Sequence, residues 1–549
     1  MNGTGMRPGE ASARQGAAGL ATEGPSIGGL AAVSAAPGPA ASCWGAQAQT
    51  ADLGAIGWVL LVLLVTRLLH WSVALTATVI DVRRRRAERR AGPPRLPAGL
   101  SLSVLVPAYN EAAVIAACLA GIDRALCAVP TLRAEVLVID DGSTDGTAAV
   151  AEAAQADWRS TAALRIHSIA NRGKAGALNA GLALGQLATE RVDGAPAGEV
   201  VLLVVDADSR IAADALTPLL APFAEAQVLA VAGNVRVGNL RTGRRAGGGG
   251  WVPGLLTRLQ HVEYVMGLDF LRRAQAVLQC VLTVPGAAGA FRRSAVVAVG
   301  GFPTETLAED TDLTLRLHWA GRGVTAGPEG FLKDESAWRP ERVSGLERLL
   351  GADAGPAHPA EPARRVEPAR KLGAVEGAED PGAAWAGGRI VVAPEAVCDT
   401  EVPETWKHLF WQRRRWMLGN LQCAWRHRAA MRPLRFGFLG GWALPGFVVG
   451  HIGLGFSPLL LLLAGAQVAQ GRVAECLLWS AAALSLDLAT AALAFVRAGV
   501  SLRWLTWVPV QRLVFLGFGA VVFWGMAAKV LSGHRVRWRK LPRVGLGAP

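Results

Sequence analysis

Residues 198–209 read GEVVLLVVDADS, an apolar run from Val200 to Val205 that stops abruptly on Asp206-Ala207-Asp208. Six apolar residues without polar alternation have the length and texture of a strand buried on both faces. The carboxylates are then delivered to the loop that follows. Three more runs have the same form: LSVLVPAYNE (102–111), AEVLVIDDGS (134–143) and QVLAVAGNVR (227–236). Between them lie Ala- and Leu-rich stretches of helical length, such as Ala112–Leu126 and Gly146–Ala156. Strand alternating with helix at this spacing predicts an α/β domain with a mostly parallel sheet. Ligands bind such sheets where the strand C-termini open into loops. Asn110, Glu111, Asp140, Asp141, Asp206 and Asp208 fall at those ends.

The rest of the 549 residues has a different character. Mean hydropathy is +0.30, and the apolar excess is concentrated at Gly54–Ile80 and after about Phe436. The run Leu53–Val65 continues past Arg67 and His70 to Ile80, long enough to cross a hydrocarbon core of roughly 30 Å if those two side chains face protein or snorkel. A secretory signal would begin near the terminus and end in a small-residue cleavage site. Here six arginines follow, within Asp81–Arg90, which places this side in the cytoplasm. The net charge of +13 clusters beside apolar segments, so membrane lipid is the expected partner and nucleic acid is not. Seven cysteines without C-x-x-C spacing read as reduced, structural thiols.

The expected organisation is a disordered tail at 1–50, a transmembrane helix at 51–82, a catalytic domain at 100–330 and a flexible insertion at 331–387. The end of the catalytic domain follows at 388–419, then an interfacial helix at 420–435, a transmembrane region at 436–532 and a basic cytoplasmic tail at 533–549. The insertion, rich in Pro, Ala, Gly and charge, is flanked by two similar phrases, GRGVTAGPEG (321–330) and GRIVVAPEAV (388–397). The second should supply the sheet strand, and a flexible insertion between them is tolerated cheaply. Of the apolar segments Phe436–Ala466, Val473–Val496 and Trp504–Leu531, three full crossings would set the basic end opposite the soluble domain, against the positive-inside tendency. The first, with Pro445 and Pro458, is therefore expected to lie in the interface, re-enter or split into a hairpin.

A D-x-D at a strand end suits a hard divalent cation that also takes substrate phosphates; by itself it is equally a solvated turn. The motifs come in order: VPAYNEAAVI, VIDDGSTDGT, NRGKAGALNAGL, VVDADS, AEDTDLTLRL and QRRRW. This series resembles the family 2 glycosyltransferases, and specifically their membrane-embedded processive branch of cellulose, chitin, hyaluronan and poly-N-acetylglucosamine synthases. The resemblance covers about 101–323 and 389–419. It implies a Rossmann-like GT-A nucleotide-sugar-binding domain inserted between transmembrane helices, in the inner membrane and facing the cytoplasm. Ala108, Tyr109, Glu111 and Asp141 would hold uracil and ribose, and Lys174 would approach the phosphates. Asp208 would be the main ligand of Mg²⁺ or Mn²⁺, with Asp206 sharing the cation or contacting ribose, and Asp310 would be the catalytic base. The family's usual Thr-Glu-Asp reads Ala308-Glu309-Asp310 here. EDTDLTLRL is also an acidic first turn suited to a helix dipole; Asp312 and Asp145 are assigned to such structural roles. The stretch 284–294, VPGAAGAFRRS, has small residues where the family places its acceptor-facing loop, so Gly286 and Phe291 are acceptor-binding candidates; a tight turn beneath the sheet fits equally.

The stretch LFWQRRRWMLG (409–419) meets the branch's Gln-x-x-Arg-Trp pattern with Gln412, Arg415 and Trp416. An arginine fork suits a diphosphate, and a tryptophan face suits an acceptor sugar. Arg413 and Arg414 are left to face lipid or solvent, Trp406 and Trp411 read as packing or belt residues, and 420–435 continues as a basic amphipathic stretch suited to headgroups. The expected activity is transfer from a UDP-sugar, with UDP-N-acetylglucosamine first, to a growing β-linked polysaccharide. Accessory export or deacetylase subunits are compatible partners. The alternatives are single-sugar transfer to a lipid carrier and a polymer-translocating channel with a non-catalytic nucleotide domain.

Overall fold

The structure, a computed structural model, describes residues 55–187, 191–192, 195–196, 198–240, 254–323, 385–532 and 545. The expected tail at 1–50, the insertion up to residue 384 and all of the basic end except Gly545 lie outside them, as do the side chains of Arg67 and His70. Residues 58–549 form one compact unit; of the other, 1–57, only the start of helix α1 (Ala55–Ala91) is described.

The four apolar runs become strands β1 (Ser101–Ala108), β2 (Arg133–Asp140), β4 (Val200–Val204) and β6 (Val228–Val237). With β3 (Ala163–Ser168), β5 (Ser209–Ile211), β7 (Gly289–Arg292) and β8 (Arg389–Thr400) they form one sheet in the order β3-β2-β1-β4-β7-β6-β8-β5. β1 is parallel to β2 and β4, β2 to β3, and β6 to β8. β7 enters antiparallel between β4 and β6, and β5 pairs antiparallel with β8. The sheet is thus mixed.

Alternate residues of a strand point to opposite faces, and here both faces are covered. Val104, Val106, Val136, Val138, Val201 and Leu203 pack under α2 (Ile115–Cys127), α3 (Thr147–Ala153) and α5 (Leu216–Leu220). Leu105, Leu137, Ile139, Leu202 and Val204 pack under α4 (Gly173–Leu184), α8 (Arg293–Ala298) and α9 (Glu309–Ala320). Two apolar faces explain the unbroken run of β4. The phrase at 388–397 does supply β8, and the amide of Gly387 donates to Gly321 O at 2.9 Å, so the chain returns to the domain beside the point where α9 ends.

A second helical layer is built on α9. Helix α10 (Trp406–Arg426) is uninterrupted, started by Thr405, whose hydroxyl accepts from the His408 amide at 3.3 Å. No boundary falls at 419/420, and the expected interfacial helix at 420–435 is not a separate element. Its first residues complete α10, where Cys423, Ala424 and, just beyond, Ala430 are buried against α9 and its approach, whereas Arg432, Pro433, Leu434 and Arg435 are exposed. The join is made by Asp312, fully buried on α9. It accepts from Arg316 Nε (3.0 Å) and Thr306 Oγ1 (3.1 Å), lies 2.9 Å from His427 Nε2 and has Arg426 at 3.9 Å. Burial alone would raise its pKa; the hydrogen bond and charge interaction with His427, with Arg316 and Arg426, outweigh it and hold the carboxyl well below the ordinary aspartate range. The acidic-first-turn reading of Asp312 is therefore incomplete.

Beyond α11 (Pro433–Phe438) come α12 (Leu444–Ala469), α13 (Val473–Ala498) and α14 (Val508–Leu531). Three helical stretches, Pro433–Ala469, Val473–Ala498 and Leu502–Leu531, are long and apolar enough to cross a membrane. Of the three arrangements expected for the first, the hairpin does not form, since Leu444–Ala469 is one continuous helix. Pro458 sits inside α12, and the carbonyl it deprives of an amide partner, Leu454 O, instead accepts from Ser457 Oγ at 2.8 Å. A neighbouring hydroxyl that takes up the freed group lets an apolar helix keep its proline.

Because breaking a buried ionic cluster leaves uncompensated charge, Asp312→Ala is expected to cost about 3–5 kcal/mol of stability. A thermal unfolding midpoint in detergent unchanged from wild type would refute this. The Asp312 contribution should be present above about pH 4, the unfolded aspartate value, and be lost as pH falls toward its depressed folded pKa.

Candidate active site

Register brings the loops after β1, β2 and β4 to one edge of the sheet: Ala108 lies opposite Asp140, and Leu105 opposite Val204. Asn110 takes a left-handed φ of 53°, a conformation asparagine tolerates. Its amide donates to Ser143 Oγ at 2.9 Å, and its Oδ1 accepts from the Thr144 amide at 2.8 Å. Asp145 accepts from the amides of Ala112 and Thr147, both at 3.1 Å. Burial works to raise its pKa, but these hydrogen bonds and that of the Thr147 hydroxyl lower it; the residue is a clamp. Asp140 is likewise occupied by the Ser143 amide (3.1 Å) and Ser168 Oγ (3.2 Å). The Asp141 amide donates to Ala108 O at 2.8 Å, and its carboxylate accepts from the Arg172 amide at 2.6 Å. Burial raises the pKa of Asp141 despite the amides of Arg172 and Gly173. Ala108, Tyr109, Glu111 and Asp141 thus surround the ends of β1 and β2.

The electrostatic centre is Lys174, in the first turn of α4. Its Nζ is 2.6 Å from Asp206 Oδ1 and 3.1 Å from Glu309 Oε1. Burial pushes the ammonium's pKa down, but Asp206, Glu309 and Asp310 together hold it well above the lysine range. Gly286 lies against the same ammonium: a Cβ there would come within 2.6 Å of Nζ, so a side chain would have to displace Lys174. Burial first, and then the charge of Glu309, push Asp310 up to about 6, opposed by Lys174, the Thr311 amide and Arg415.

Asp208 Oδ1 accepts from Ser209 Oγ at 3.1 Å. No group of three or more His, Cys, Asp or Glu side chains able to hold a metal occurs among the described residues. Asp206 and Asp208 are nonetheless a hard oxygen pair, which fits a cation completing its shell with substrate phosphates and water.

On α10 the structure redistributes the arginines. Arg415 reaches Asp310 by its charge. Arg414 is not turned to lipid or solvent: it is 8% exposed, with its guanidinium 4.2 Å from the Trp411 ring and 5.5 Å from that of Phe410. Arg413 is also engaged, pairing with Glu263 at 2.6 Å and lying 4.2 Å over Trp416. Trp416 therefore stacks on an arginine of its own helix. Gln412 is buried, and its Oε1 has no hydrogen-bond partner among the described residues. Phe291 does not face an acceptor: it is a core residue of β7, 1% exposed and edge-on to Phe302 at 6.2 Å. An antiparallel strand between β4 and β6 has no solvent face to offer it.

The sequence reading missed Glu309 as the second partner of Lys174, Glu263 as the partner of Arg413, and Arg272. The last begins α7 (Arg272–Val277), which continues α6 (Leu255–Glu263) through a π-helical segment, Tyr264–Leu271. Arg272 is buried, and its Nη1 has no hydrogen-bond partner among the described residues. Burial pushes it down to about 10, against Asp269, Asp310 and Tyr264. The double arginine at 272–273 was its only mark in the sequence.

Residues 103–297 match the family described as Glycosyl transferase family 2, and 382–528 match Glycosyl transferase family group 2. The chain is 31% identical over 220 residues to the beta-monoglucosyldiacylglycerol synthase of Nostoc sp. (strain PCC 7120), covering 40% of this chain and 41% of that protein. It is 27% identical over 259 residues to the poly-beta-1,6-N-acetyl-D-glucosamine synthase of Staphylococcus aureus (strain COL), covering 46% of this chain and 54% of that protein. It thus spans about half the length of these relatives. Among solved structures, the mannosyltransferase PcManGT from Pyrobaculum calidifontis, in complex with GDP-Man and Mn2+, matches with a TM-score of 0.44 and 20% identity over 84% of this chain and 98% of that one.

The buried guanidinium of Arg414 over two rings is worth about 2 kcal/mol. Arg414→Ala is expected to lower the thermal midpoint of the purified protein, whereas Arg415→Ala leaves it nearly unchanged. Equal midpoints for the two variants would contradict this division.

Proposed function

From a chain that carries family 2 glycosyltransferase domains, we propose an inverting membrane glycosyltransferase that moves a sugar from a UDP-sugar, with UDP-N-acetylglucosamine first among donors, to a growing β-linked polysaccharide. The observation that carries this reading is the convergence of Lys174, Asp206, Glu309 and Asp310 at the strand ends. Ala108, Tyr109, Glu111 and Asp141 receive uracil and ribose. Lys174 and Arg415 meet the diphosphate with fixed positive charge, where preorganised charge stabilises a developing anion. Asp206 and Asp208 would hold Mg²⁺ or Mn²⁺, whose chemistry is to neutralise the leaving diphosphate.

Asp310 takes the proton of the acceptor hydroxyl as that oxygen bonds to the anomeric carbon. The bond from that carbon to the diphosphate oxygen breaks, and its electron pair leaves on UDP. A single displacement turns an α-linked donor into a β-linked product. A carboxylate raised to about 6 remains ionised at neutral pH and is a stronger base than an ordinary aspartate. Gln412, Trp416 and the side-chain-free Gly286 form the acceptor side. The arginines that end α1 support a catalytic domain on the cytoplasmic side, and the three apolar helices support its attachment to the inner membrane. The likeness to a glucosyldiacylglycerol synthase supports a second reading, transfer of one sugar to a lipid.

Membranes containing the protein, incubated with each radiolabelled UDP-sugar and then with linkage-specific hydrolases, should yield a β-linked polymer. Single-sugar lipid products would replace the first reading with the second, and absence of UDP release from every donor would overturn both. Asp310→Asn should lower turnover roughly 10²–10⁴-fold with UDP affinity little changed; normal turnover removes Asp310 as the base. Because the base must be ionised, kcat/KM should be intact above pH 6 and fall as pH drops through about 6. A profile flat from pH 7 to pH 5 would count against it.

A further inference from the structure

A cavity of about 440 Å³ is lined by Arg85, Arg86, Arg89, Arg236, Arg273 and Arg497. It includes none of the residues placed in the candidate active site. Five elements build it: the end of α1, strands β6 and β8, helix α7 and the last turn of α13. One lining carboxylate, Glu395, faces the six guanidiniums.

Some of that charge is tied to the fold. Arg85 pairs with Asp81 at 3.0 Å and Glu395 at 3.1 Å, and Arg273 with Asp269 at 2.7 Å. Arg497 pairs with the same Asp81. Asp81 and Asp269 thereby position the walls of the cavity. Arg86, Arg89 and Arg236 form no ion pair among the described residues, although Asp399 feels the charge of Arg236. Like charges gathered on low-dielectric walls focus a positive potential and raise the local concentration of anions.

We propose that this cavity is a binding site for a phosphate group. Guanidinium forks match phosphate oxygens in pairs, and several around one cavity suit an anion of more than one oxygen. The level of the site narrows its source. Arg497 and Gly499 close a helix apolar enough to cross a membrane, and α1 reaches the cavity from its own apolar stretch. Basic pockets where apolar helices end lie at headgroup depth. The ligand is therefore the phosphodiester of an anionic lipid or a soluble phosphate that enters from the same side.

The full-length protein is reconstituted into phosphatidylcholine nanodiscs with and without a minor fraction of phosphatidylglycerol. Lipid retained by the protein is measured by mass spectrometry, and the phosphatidylglycerol-free discs are titrated with inorganic phosphate by calorimetry. At least one anion should bind, and Arg89→Gln and Arg236→Gln should each weaken that binding roughly fivefold. Arg83→Gln and Arg84→Gln, on the same helix outside the cavity, should leave it unchanged. Loss confined to the lipid arm identifies a headgroup, and loss confined to the phosphate arm a soluble ligand. If neither anion binds, or if the Arg83 and Arg84 variants lose as much as the cavity variants, the proposal is overturned. Binding is read directly, so neither result depends on glycosyl transfer.

Discussion

The arrangement depends on one desolvated carboxylate. Asp312 is surrounded by Arg316 of its own helix and by Arg426 and His427 at the end of α10. A buried charge of this kind is tolerable only when its partners come to it, so α10 has one acceptable position against α9. The close crossing is made at Gly419, where a Cβ would come within 2.9 Å of Ala308. Nearby, the Leu307 amide donates to Gln422 at 3.1 Å. Two segments separated by about a hundred residues are thereby joined, and Asp310 feels the charge of Arg415. Asp312 touches no reacting group in the proposed chemistry, yet it sets the distance between two that do.

Lys174 and Asp312 solve opposite problems. Around Asp312, cations outnumber the carboxylate and stabilise its ionised form. Around Lys174, three carboxylates share one ammonium, and Asp310, raised first by its burial and then by the charge of Glu309, holds its proton more tightly despite that ammonium. Two acidic residues on one helix turn thus acquire opposed acidities from their surroundings alone. This is how one fold keeps a structural anion inert and the carboxylate of the proposed base near neutrality.

Much of the sheet was legible because parallel strands buried on both faces leave unbroken apolar runs, and because their carboxylates stand at the C-terminal ends. β7 was not legible. GAFR is too short to show a period, and its antiparallel entry between β4 and β6 is a tertiary fact, which is why Phe291 was misassigned. The arginines at 413–415 were ambiguous for another reason. Three consecutive helical residues point in three directions: Arg413 meets Glu263 of α6, Arg414 packs on Trp411 one turn back on its own helix, and Arg415 acts by charge on Asp310 of α9. Asp312 looked like an ordinary first-turn acid because its i,i+4 arginine is also what an exposed helix would carry. Its true surroundings came from a helix end more than a hundred residues away.

The meeting of Gly321 and Gly387 has a consequence for the order of assembly. β8 forms its long parallel ladder with β6, but it is synthesised only after residues 324–384. Every other strand of the sheet precedes that stretch. While the intervening chain is being made, β6 presents an open edge of unpaired amides and carbonyls, and β5 has no partner at all. Open edges of this kind invite pairing with other chains. The nascent domain therefore passes through a stage in which its own missing strand is the protection it lacks, and that stage lasts as long as the ribosome takes to cross the insertion.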